Sequence, residues 1–77
     1  MSKRQWLFFL SAWQRIRNMT YADIRSLAIA TLVTYQASGR MPDGGLSWEE
    51  FGEWAMNNFN ARFPNPNPPT ETPQNPV

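Results

Sequence analysis

Three short signals partition this 77-residue chain. Ser2 is followed three positions later by Gln5, Thr20 by Asp23, and Ser47 by Glu50. At a helix start, a Ser or Thr hydroxyl accepts from a free backbone N–H of the first turn. A carboxylate or amide three positions on reaches back to the N–H of the cap. Each pair opens a run with apolar residues at helical spacing, so the chain is predicted to start a helix three times. Two of the starts carry a hydrophobic staple as well, Met19 facing Ile24 and Leu46 facing Phe51.

The apolar spacing predicts helices over about residues 3–18, 21–37 and 48–62. In the first, Trp6, Phe9, Leu10, Trp13 and Ile16 form one stripe, while Leu7 and Phe8 project to the other side among Arg4, Ser11 and Arg15. The second has two apolar faces. One is Ile24, Leu27, Ala28, Thr31, Leu32 and Tyr35, and the other is Ala22, Ile29, Ala30, Val33 and Ala37. A helix apolar on two sides is expected at the centre of a bundle. Gly39 is placed to close it by a left-handed turn. The third helix presents Trp48, Phe51, Ala55, Phe59 and Phe63 on one face and Glu49, Glu50, Glu53, Asn57 and Asn60 on the other, with Trp54 apart from the stripe.

Six of the seven prolines fall between Pro64 and Val77. Proline has no N–H and a fixed φ, so this stretch cannot join a helix or sheet. It reads as a disordered tail with a polyproline II bias. The expectation is therefore an all-α fold, with a three-helix domain over residues 1–63 and a proline-rich tail over 64–77. A domain of that length is near the lower limit of what one core stabilises.

Cysteine and histidine are both absent. That removes disulfides, zinc sites, thiol chemistry and the usual general base, so neither an enzyme nor a cofactor is expected. Charge is unevenly spread. Residues 1–40 carry six basic side chains against Asp23, whereas residues 41–77 carry five acidic side chains against Arg62. The opening MSKRQWLFFLSAW has a basic start, but its apolar run is too short for a secretory signal. The run from Leu27 to Val33 is too short to span a bilayer. A soluble, cytoplasmic protein with no membrane span is expected.

The stretch PDGGLSWEEF, residues 42–51, resembles the second half of an EF-hand calcium loop. With Glu50 as the last ligand, Asp43, Gly44, Leu46 and Ser47 fall on positions where the family has such residues. The first and third positions, which donate oxygen in the family, fall on Gly39 and Met41. Pro42 occupies the fourth position, which in the family usually needs a positive φ, whereas proline fixes φ at about −65°. The expectation is no calcium binding, with the stretch serving as a turn, a staple and a helix cap.

The stretch MTYADIRSLAIATLVTY resembles the first helix and turn of a repressor-type helix-turn-helix at Thr20, Asp23 and Ala28. Ile29 and Ala30 continue the helix where the family turns. No side chain suited to reading base edges follows before Gln36. Nucleic-acid contact through Lys3, Arg4, Arg15 and Arg17 would rest on charge alone, and it ranks as the alternative reading. An interfacial amphipathic role for the first helix is weakened by Leu7 and Phe8 on its polar side.

Leu7, Phe8, Ile29, Val33 and Trp54 are left over from a three-helix core. Aromatic and aliphatic residues left over in this way are typical interface anchors. The expected function is binding to another protein, or to itself as a homo-oligomer, through an aromatic-rich helical face. An adaptor, regulator or inhibitor is meant, of the size common among phage and mobile-element accessory proteins.

Overall fold

The computed structural model describes residues 1–66, and among them it contains three α-helices and no strand. Helix α1 spans Lys3–Trp13, α2 spans Tyr21–Ala37 and α3 spans Trp48–Arg62. A single 3-10 turn, Asp43–Gly45, lies between α2 and α3. The tail from Asn67 onward, expected to be disordered, lies outside the described residues.

All three capping boxes form. Ser2, Thr20 and Ser47 each accept from the backbone N–H three residues on, at 3.0, 3.1 and 3.1 Å. Gln5, Asp23 and Glu50 each accept from the N–H of their cap, at 2.9, 3.4 and 3.0 Å. The apolar partners of the two staples, Met19 with Ile24 and Leu46 with Phe51, enter the core cluster. Past the end of α2, Gly39 takes φ 82°, a left-handed conformation that a Cβ would strain.

Helix α1 stops at Trp13, well short of the expected residue 18. The chain tightens there, with Arg15 N–H donating to Ala12 and Ile16 N–H to Trp13 across three residues. The cause lies downstream. Thr20 must be extended to cap α2 (φ −75°, ψ 166°), and Met19 must reach the core, so the chain has to leave the α1 axis. Ile16 consequently leaves the predicted stripe and is 39% exposed.

The central element is α3, and not α2 as the two-faced pattern suggested. Both other helices pack chiefly on α3. Trp6, Leu10, Phe51, Ala55 and Phe59 are fully buried, whereas α2 contributes only Ile24 and Ala28 to the buried core. Large aromatic side chains remove more apolar surface from water than alanine or valine. The core therefore forms where α1 and α3 meet, and α2 covers it with one face. The indole N–H of Trp6 donates 2.8 Å to the carbonyl of Ala55, a buried bond that sets α1 against α3.

The α2–α3 connection is tied at two points. The N–H of Asp43 donates 3.0 Å to the carbonyl of Met1, itself a buried residue. The indole of Trp48 donates 2.7 Å to the carbonyl of Arg40. Gly44 and Gly45 take φ 84° and 76°, which reserves both positions for glycine.

Candidate functional site

The five leftover apolar residues do not share one environment. Leu7 and Trp54 are half-buried and pack against the core. The Trp54 ring lies 5.6 Å from Phe51, and Lys3 Nζ sits 5.0 Å from its centroid. That cation–π contact is worth about 0.5–1 kcal/mol at an exposed site. Phe8 is 68% exposed, Val33 56% and Ile29 37%. Phe8 stands on α1, with its ring 6.3 Å from Phe9, which in turn stacks on Trp13. Ile29 and Val33 stand on α2. Because α1 and α2 each pack mainly on α3, the structure divides the predicted face into one spot on α1 and one stripe on α2.

The stripe on α2 is longer than those two residues. Ala22, Ser26, Ile29, Ala30, Val33 and Ala37 are all exposed, at spacings of 4, 3, 1, 3 and 4 residues. This is the spacing of a core-facing stripe. The opposite face of α2, from Ile24 through Leu27, Ala28, Thr31, Leu32 and Tyr35, is the one turned to the core, as predicted. From Ser26 to Ala37 the helix has no charged residue.

Of the basic residues, Lys3 is engaged over Trp54. Arg4 is exposed on α1, and Arg15 and Arg17 are exposed in the segment that leads to α2. Around Asp43, the half that resembles a calcium loop forms the 3-10 turn and the α3 cap. Met41 is exposed and Pro42 buried there. Among the described residues, no three acidic, His or Cys side chains stand together. The Glu50 carboxyl is held below its ordinary pKa, first by the backbone N–H of Ser47 and then by the Ser47 side chain. This group belongs to the helix cap.

Sequence reading did not anticipate a groove of about 410 Å³ where the end of α1, the start of α2 and the end of α3 converge. Trp13, Ile16, Tyr21, Ile24, Arg62 and Phe63 line it. Its walls come from three separate stretches of chain, and periodicity within one helix gives no sign of such a meeting. The only hint was Ile16, the last member of a stripe that the early end of α1 leaves without cover.

Among the described residues no helix is long and apolar enough to cross a membrane. Comparison of the chain with protein-family models, curated proteins and solved structures finds no match.

Proposed function

We propose that this chain is a small cytoplasmic protein-interaction module that associates through the outer stripe of α2, first of all with a second copy of itself. The supporting observation is that α2 carries two core-grade apolar faces and the domain uses only one. A solvated helix face ordinarily carries charges, and this one has none from Ser26 to Ala37.

Helical spacing makes the stripe symmetric about the peptide bond between Ile29 and Ala30. The sequence adds a match of sizes. In an antiparallel pair about a two-fold axis, Ile29 faces Ala30 of the other copy, Val33 faces Ser26, and Ala37 faces Ala22. Ile29 and Val33 each meet a small residue and the outer pair is alanine on alanine, which favours close approach at a short interaxial distance. Phe8, separate on α1, is left to extend the contact or to meet a different protein. An adaptor, regulator or inhibitor role follows from binding without catalytic groups.

Val33→Glu tests this reading. Val33 is exposed, so the monomer should keep its helical circular dichroism and its stability to within about 0.5 kcal/mol. Light scattering should give a dimer mass for the wild type and a monomer mass for the variant. A monomeric wild type at high micromolar concentration, or a dimer that survives the substitution, overturns self-association through this face.

A further inference from the structure

We propose that the aromatic groove between the helix ends is a docking site for this chain's own proline-rich segment, residues 67–77, bound within the same molecule. Four observations converge on it. The first is where the chain leaves the domain. Pro64 and Pro66 already line the groove, so the segment that follows starts at its wall. The second is the chemistry of the lining. Tyr21 and Phe63 offer half-buried rings, Phe63 stacked on Phe59 at 4.7 Å, and Trp13, buried and stacked on Phe9, forms part of the wall. Aromatic-lined grooves are the standard receptors for polyproline II segments, because proline rings pack flat on aromatic faces and the extended chain is already ordered.

The third concerns donors. The four prolines of residues 67–77 leave that segment with more carbonyls than N–H groups, so donors on its receptor are favoured. Two other indoles of the protein are satisfied, Trp6 by Ala55 and Trp48 by Arg40. Among the described residues, neither the Trp13 indole nor the Tyr21 hydroxyl has a hydrogen-bond partner. The fourth is charge. Glu71 is the one charged side chain in 67–77. Arg62 lines the groove, and Arg15 and Arg17 flank Ile16, another lining residue. In the proposed docked state, a polyproline II stretch from Asn67 to Glu71, at about 3.1 Å per residue, would bring Glu71 within reach of this basic rim.

The test uses the full-length chain. Backbone 15N–1H NOE values at Thr70, Glu71 and Thr72 should approach those of the helices. In Ile16→Glu they should fall to those of a free peptide, because Ile16 is exposed and its replacement puts a like charge beside Glu71 without opening the core. The Trp13 indole signal should move in the double variant Pro68→Ala, Pro69→Ala, while the Trp48 signal stays. Trp48 begins α3 and the groove lies at its far end, about 20 Å away at 1.5 Å per residue. The chain lacks cysteine, so Thr72→Cys gives a unique position for a nitroxide label. Spin-labelled chain mixed with unlabelled 15N chain should leave Trp13 sharp, whereas a label on the 15N chain itself should broaden it. Broadening in the mixed sample would assign the groove to the tail of another copy and overturn docking within one molecule. Free-peptide NOE values in the wild type, or values unchanged by Ile16→Glu, would overturn docking altogether.

Discussion

Helix α3 receives a different kind of partner on each side. Against α1 it sets aromatic rings and a buried hydrogen bond. Trp6 stands edge-on to Trp13 at 5.6 Å and donates to Ala55, with Phe51 and Phe59 fully buried nearby. Against α2 it meets mainly half-buried side chains, among them Tyr21, Leu27, Leu32 and Tyr35, with Ile24 and Ala28 the only α2 members buried in the core. The first interface is directional, because an indole N–H has one favourable approach to a carbonyl. The second rests on packing, including the Tyr21 ring 6.0 Å from Phe59. On its other side α2 leaves Ile29, Ala30 and Val33 exposed.

The difference sets an order of sensitivity. Trp6→Ala should cost about 3–5 kcal/mol, the range for deleting a buried large aromatic, and in a domain this small that abolishes cooperative folding. Ile24→Ala should cost about 2 kcal/mol, near the bottom of its range, because the α2 interface can close up on a lost side chain. Thermal denaturation of the two variants decides the matter. Equal losses would erase the distinction between the interfaces.

A smaller effect of opposite sign is expected within α3. Gly52 lies in the helix, and a Cβ built there meets nothing within 4 Å. Gly52→Ala should therefore stabilise by roughly 0.5–1 kcal/mol through backbone entropy alone. A loss of stability would mean that this face of α3 packs more closely than the structure indicates.

The cap of α3 adds a dependence on pH. The Glu50 carboxyl has a lowered pKa in the folded chain, so its contribution is present above the unfolded value and is lost as pH falls through the folded one. The melting temperature should decline on acidification below the ordinary glutamate range. Glu50→Gln, which keeps an acceptor for Ser47 N–H, should flatten that part of the decline. An unchanged profile would assign acid sensitivity to other carboxylates. The smallest expected effect is none at all. Calcium should leave tryptophan fluorescence and melting temperature unaltered, and saturable binding below about 1 mM, the weak end for EF-hand loops, would reverse that reading.

What could be read from sequence was whatever is settled within one turn of helix. The caps at Thr20 and Ser47 placed the start of α2 and of α3, because both partners of each cap lie three residues apart. The inner face of α2 was legible for the same reason. The end of α1 was not, since it is decided by where Met19 and Thr20 must be and not by residues 14–18. Nor was the identity of the central helix. Two apolar faces on α2 say that it can be buried twice, but the choice of centre depends on how much area Trp6 and Phe51 bury against each other's helices. Trp54 was ambiguous because its ring straddles the core edge, and Lys3 covers part of it. The groove depends on an encounter of three chain segments and leaves no pattern in any one of them.

The bond from Trp6 to Ala55 joins residues 49 apart in sequence, and Met1 is joined to Asp43 across nearly as great a span. Helical proteins are usually fast to assemble because their contacts are local. Here the strongest anchor of the first helix is made with the last. During synthesis, which proceeds from the N-terminus, Trp6, Leu10 and Trp13 emerge from the ribosome before any part of α3 does. The aromatic stripe that later centres the fold is for that interval an exposed, adhesive surface, and it has a place to go only once α3 is present.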